Sequence, residues 1–350
     1  MSDVARASHA RVSPNVLPTD FLRRTAGEFA PRPWIYWADM LASAALGWSL
    51  FFFSLELPLF SALQVVATLG AVFALLRAAL FIHELCHVKP SQLPCFEVAW
   101  NLLVGIPLLI PSLMYVGSHM DHHKRMAFGT ETDPEYAPIA HWSRLRIAAF
   151  VVTVAFAPLL LPIRWGVLTP LSRAIPALRP WVVGKLSTLV INTSYTRPMP
   201  RGAHVRRWNL EEGGAALTVW AVGALVLAGV IPVAFVTHWL VVGAGILVAN
   251  QVRTLAAHGY ENEGECMDAE QQLLDSINLG GKPVLSSLIA PVGLRYHALH
   301  HYLPSLPYHS LGTVHRRLSA LLPHDAPYRR TQSDGLSVTL QALWKRSAAH

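Results

Sequence analysis

Six long apolar stretches, near residues 38–58, 59–82, 98–116, 146–168, 214–232 and 233–252, limit what this chain can become. By length each allows a helix to cross the hydrocarbon of a bilayer, which takes about 20 residues for about 30 Å. Lipid offers backbone N–H and C=O groups no partners, so a single spanning segment has to be helical. Charged residues make up only 14% of the 350, against about 25% in soluble domains. The expected fold class is therefore all-α and integral to a membrane.

Charge placement decides which stretches cross. Arg6, Arg11, Arg23, Arg24 and Arg32 hold the amino end in the cytosol, and the arginine-rich chain after Gln251 belongs there too. The turns near Glu56 and Pro58 and from Ile231 to His238 lack Lys and Arg and suit the far side. Four transmembrane helices in two hairpins result, 38–58 with 59–82 and 214–232 with 233–252. The stretch 98–116 carries Pro107 and Pro111, and 146–168 carries Pro158 and Pro162; both read as re-entrant or interfacial. The basic stretch 169–212 reads as lying on the cytosolic membrane surface. The domain reading is a cytosolic amino-terminal tail 1–33, one membrane domain 34–322 and a carboxy-terminal tail 323–350, both tails mobile. The net charge of +7 flanks apolar segments and forms no nucleic-acid motif, so no nucleic-acid partner is expected. No cleaved targeting segment is evident, and Cys86, Cys95 and Cys266, without a CxxC pair, read as reduced thiols.

The 17 histidines are clustered. His83 and His87 stand in HELCH just past an apolar helix; His119, His122 and His123 in GSHMDHH; His297, His300 and His301 in RYHALHHY; His258 six residues past the last apolar stretch. Spacings of three and four put imidazoles on one helical face. A lone zinc takes four ligands, so nine such residues on one membrane face suit two ions with four to five nitrogens each. Imidazole alone does not name the metal. HELCH also fits a zinc protease with Glu84 as general base, but that reading leaves two histidine clusters unused, and the only Asp-Gly, Asp334-Gly335, lies in the polar tail. A metal transporter would need ionisable groups within its spans, which are nearly free of them apart from Arg77 close to the cytosolic end. His309 and His315 read as outer or surface residues, and His9, His141, His204, His238, His324 and His350 as surface residues or caps.

HELCH, HMDHH and HALHH, with FGTETDPEY and HHYLPSLPYH around them, resemble the membrane fatty acid desaturases and their related hydroxylases and ketolases over roughly residues 35–320. The resemblance implies a four-helix transmembrane bundle under a cytosolic helical cap holding a non-haem di-iron centre. It implies two iron ions on His83, His87, His119, His122, His123, His258, His297, His300 and His301. Thr254 stands where some relatives place an asparagine ligand. Glu84, Asp121, Glu131 and Asp133 are the nearby groups for orienting the rings. The resemblance further implies a lipid acyl substrate and oxygen-dependent introduction of a double bond, with hydroxylation of a sphingolipid or oxidation of a carotenoid as alternatives. The active site would face the cytosol, in a bacterial inner membrane. No fused haem domain is evident, so electrons would come from a ferredoxin or a cytochrome b5-type donor, for which Arg206, Arg207, Arg316 and Arg317 are candidate attractors. Trp100, Tyr115, Tyr260 and Tyr296 are expected as membrane-interface anchors or acyl-tunnel walls, and Gly117, Gly259 and Gly293 as points of close approach.

Overall fold

The computed structural model describes residues 20–347, of which all but two short strand pieces and the connections are helical. Four helices are long and apolar enough to cross a membrane: α1 (Pro33–Leu55), α2 (Ala62–His87), α7 (His204–Leu227) and α8 (Val233–Thr254). Pro33 opens α1, where its missing N–H costs nothing, and the Ser61 hydroxyl caps α2 by accepting from Gln64 N. The outward faces carry Leu46, Phe52, Val66 and Leu217, all more than half exposed, as a lipid-facing surface requires. Arg77, the one cation deep in α2, is bound in bidentate fashion by Asp39 of α1, and Tyr308 Oη donates to the same carboxylate at 2.9 Å.

Two expectations from the sequence change here. The third span begins at His204, ten residues before the apolar run. Glu211 and Glu212 are tolerated in it because arginines neutralise both: Arg207 binds Glu211, while Arg164, Arg173 and Arg179 bind Glu212. The stretch 169–212 is thus only partly a surface element. The carboxy-terminal segment, read as a mobile tail, is folded among the described residues. Gln332–Ser333 (β2) pairs in parallel with Asn278–Leu279 (β1), and α12 (Leu336–Arg346) buries Leu343 against Ile139, Ile147 and Tyr260. Of the amino-terminal tail, residues 1–19 lie outside the described residues.

The shorter helices hold the site and its surroundings. They are α3 (Phe96–Gly105), α4 (Ser118–His122), α5 (Arg144–Val154), α6 (Ala157–Ala174), α9 (Ala269–Asp275), α10 (His297–Tyr302) and α11 (Tyr308–Leu321). α5 and α6 are bent by 50°, at a break followed by Pro158, which cannot continue the hydrogen-bond ladder. α1 packs along α2. α8 packs on α2 and on both halves of the bent pair, while α7 packs on the second half.

Candidate metal centre

α2 runs on through HELCH past a single turn residue at Leu80, so His83 and His87 project one turn apart from its last turns. α4 begins at Gly117, whose φ of +102° favours glycine, and it presents His119, His122 and His123. α10 supplies His297, His300 and His301, and the turn after α8 supplies His258.

The nine imidazoles converge and separate into two groups. Ligand nitrogens of His83, His87, His119, His123 and His300 lie within 4.8 Å of one another, and so do those of His122, His258, His297 and His301. The division follows helical geometry: His119 with His123 and His297 with His301 are i, i+4 pairs on one face, while His122 and His300 turn to the other group. The rings of His123 and His301 stack at 4.5 Å between the two groups.

The same convergence bears on the bent helix, which by length and composition is either a broken span or a re-entrant loop. His122 precedes it, His258 follows α8, and their ring centroids are 5.3 Å apart. With α7 and α8 each crossing once, a third crossing by α5 and α6 would put the bilayer between these two rings. A re-entrant bent pair, the expectation from the sequence, is compatible with that approach if α7 and α8 both cross.

Carboxylates fix three of the rings. His119 Nδ1 is 2.7 Å from Glu135 Oε1, and Tyr115 Oη donates to Glu135 Oε2 at 2.8 Å. His122 Nδ1 is 2.9 Å from both oxygens of the fully buried Asp133, which also accept from Gly129 N and Glu135 N. His258 Nδ1 is 3.1 Å from Asp275 Oδ2, while Asp275 Oδ1 accepts from Tyr136 Oη at 2.8 Å and Tyr260 N at 3.1 Å. Gly259 lets this carboxylate come close: a Cβ there would stand 3.2 Å from Asp275 Oδ1.

With Nδ1 donating to carboxylates, Nε2 presents a lone pair inward. Nε2 atoms face one another at 3.0 Å (His87–His119), 3.0 Å (His119–His123) and 3.1 Å (His123–His300) in the first group. In the second they do so at 2.9 Å (His258–His297), 3.1 Å (His297–His301) and 3.2 Å (His122–His301). Facing lone pairs repel unless a cation lies among them. Two imidazole nitrogens at about 2.1 Å from one ion and at right angles stand about 3.0 Å apart. Both nitrogens of His83 are buried without a hydrogen-bond partner, which a metal bond would repair. Burial, then neighbouring imidazoles, holds His119, His123, His300 and His301 well below their ordinary pKa, in the neutral form a metal requires. Burial also lowers His122, but Asp133 more than offsets it and the net direction is up. Burial pushes the Glu135 carboxyl up to about 7, against the pull of His122 and the Tyr115 hydroxyl. The donor set, all imidazole with carboxylate support, fits two metal ions.

Of the expected supporting groups, only Asp133 reaches a ring. Asp121 lies two residues from both His119 and His123, so it points to the opposite side of α4, where it accepts from Lys124 Nζ and, at 2.6 Å, from Tyr195 Oη. Glu84 Oε1 stays 3.7 Å from His83 Nδ1, beyond hydrogen-bond range; its Oε2 accepts from Tyr36 Oη at 2.5 Å and Tyr308 N at 3.2 Å. The exposed Glu131 meets no imidazole. The Thr254 hydroxyl accepts from Arg253 Nη2 at 3.1 Å. Glu135 and Asp275 were missed; FGTETDPEY contains the first of them, but only its acid-rich character hinted at a role. Trp100 and Tyr260 are fully buried, not interface anchors, and donate to the carbonyls of Ala78 and Thr254. Tyr296 packs on His315. His309 and His315 stay outside both groups and bind Arg32 N and Tyr328 Oη. Of the candidate donor attractors, Arg207 is taken up by Glu97 and Glu211 and Arg317 by Glu28, while Arg206 and Arg316 are exposed.

Comparison with known proteins bears on this site directly. The family model described as fatty acid desaturase matches residues 60–332, a range that contains all nine histidines. A ceramide hydroxylase of Caulobacter vibrioides (strain NA1000 / CB15N) is 42% identical over 316 residues, 90% of each chain. No solved structure matches.

Proposed function

The chain belongs to the fatty acid desaturase family, and from that membership we propose that it is an oxygen-dependent hydroxylase of a ceramide-type sphingolipid, with two irons held by the nine histidines. The observation that carries the reading is the grouping of five and four imidazoles, six of the nine buried and three half-buried, beside helices long and apolar enough to cross a membrane. The choice of hydroxylation rests on the likeness to a ceramide hydroxylase along 90% of both chains.

An unactivated methylene is beyond side-chain acid–base chemistry; a bound iron pair supplies the activation of dioxygen that the reaction needs. The balance is one methylene, one dioxygen, two electrons and two protons giving one alcohol and one water. The protein's part is to hold and tune. Glu135 and Asp133 anchor the Nδ1 protons of His119 and His122, and Asp275 faces Nδ1 of His258 at 3.1 Å, so that Nε2 is turned inward. Burial of His83, His119 and His300 in one group and of His122, His258 and His297 in the other limits the access of bulk water to the reacting centre. The two electrons would come from a separate ferredoxin or cytochrome b5-type donor, at the cytosolic face of a bacterial inner membrane.

Desaturation of a lipid acyl chain is the second reading, favoured by the description of the matching family model. Expression in a host whose membrane contains ceramide, followed by lipid mass spectrometry, separates the two. One added oxygen with unchanged unsaturation supports hydroxylation. Loss of two hydrogens with no added oxygen moves the assignment to desaturation. Unaltered lipids, with protein of full iron content and a competent donor, would overturn both.

A further inference from the structure

Glu212 of α7 is fully buried and accepts from Arg164 Nη2 at 3.1 Å, Arg173 Nη2 at 2.9 Å and Arg179 Nη2 at 2.7 Å. One carboxylate against three guanidinia leaves an excess of two positive charges (three minus one). The other groups bonded to these arginines are uncharged: the Leu186 carbonyl, the hydroxyls of Thr169, Ser172 and Ser187, and the Asn209 amide. Glu211, the next residue, turns instead to Arg207. The Arg164 and Arg179 side chains are 5% and 16% exposed, whereas Arg173 is 45% exposed and opens outward.

Its setting is the edge of the bilayer. Glu212 lies eight residues into α7, about 12 Å along a helix of about 36 Å, near the level where hydrocarbon gives way to headgroups. Leu171 and Trp181, each two residues from one of its arginines, and Leu210 of α7 are exposed and apolar. Uncompensated charge at that depth is costly and calls for a counter-ion. Guanidinium is the side chain suited to phosphate, and basic pockets between membrane helices accept anionic headgroups.

We propose that Arg173, with Arg179 held behind it by both of its Nη atoms on Glu212, binds the phosphate of an anionic membrane phospholipid, whose chains lie along the apolar surface of α6 and α7. The ligand completes the charge balance at Glu212 and fastens the bent helix to α7. This site is separate from the histidine groups and does not depend on which lipid they oxidise.

The test is thermal unfolding of the full chain in nanodiscs of phosphatidylcholine, with and without phosphatidylglycerol. Phosphatidylglycerol should raise the midpoint by several degrees. Arg173→Gln, which leaves Arg164 and Arg179 on Glu212, should lose most of that rise, and Arg316→Gln, at an exposed position on α11, should keep it. Glycerol phosphate added over phosphatidylcholine discs should give no rise; an equal rise would assign the site to a soluble phosphate and overturn the lipid. No rise in the natural protein, or a full rise in Arg173→Gln, overturns the site. Should Arg173→Gln fail to fold, lipid extraction from purified natural protein decides: about one anionic phospholipid retained per chain supports the site, and none overturns it.

Discussion

His119 Nδ1 and Glu135 Oε1 stand 2.7 Å apart across sixteen residues of mostly irregular chain. The carboxylate fixes the proton on Nδ1, which leaves Nε2 as the inward lone pair. Asp133 and Asp275 do the same for His122 and His258.

Glu135→Gln, Asp133→Asn and Asp275→Asn should therefore each lower metal affinity about 10- to 100-fold, read by metal titration of purified protein. Asp121→Asn, whose carboxylate faces Tyr195 instead, should leave affinity unchanged. Equal losses in all four variants would mean that the carboxylates act on folding and not on the rings.

What the sequence made legible was whatever obeys a period. Helical spacing exposed the histidine boxes, and hydropathy filtered by charge placement exposed four spans. Even the split into two groups was implicit, because His119 with His123 and His297 with His301 are each one turn apart. The supporting acids were hidden because loops, not periods, bring Glu135 and Asp275 to their rings. The early start of α7 was hidden because Glu211 and Glu212 look incompatible with a span until their arginines are found in space. The bent helix could be read as re-entrant only by assuming that the histidines meet, and the His122 to His258 approach supplies that fact.

Removal of metal should be felt throughout the cap. Without a cation the Nε2 lone pairs of His87, His119, His123 and His300 face one another near 3 Å, so a strong chelator should lower the unfolding midpoint and added ferrous ion should restore it. His122→Ala removes one of four ligands from the second group and none from the first. Retained metal should fall from about two ions per chain toward about one, by elemental analysis. Retention of two would refute the grouping.

Tyr36→Phe tests the packing that seats α2. The Tyr36 hydroxyl donates to Glu84 Oε2 at 2.5 Å, deep among Phe81, Phe96 and Tyr308. Its loss leaves a buried carboxylate with only Tyr308 N as a donor, at a cost of about 1–3 kcal/mol. Unfolding in detergent should register this as a lower midpoint, with metal content per folded chain unchanged, because Glu84 does not bind an imidazole.

His315 gives the fold a pH dependence apart from the metal. Burial, then the charges of Arg295 and Arg316, pushes its imidazole down to about 4, and in the neutral form it accepts from Tyr328 Oη at 2.7 Å. In the unfolded chain a histidine titrates near 6.5. As pH falls below that value the unfolded chain takes up the proton first, so stability present above pH ~6.5 is lost progressively down to about 4, where the folded form also protonates. Unfolding midpoints should therefore drop between pH 7 and 5, and the drop should be smaller in His315→Gln, whose side chain does not titrate. An identical slope in both proteins would assign the dependence to other groups.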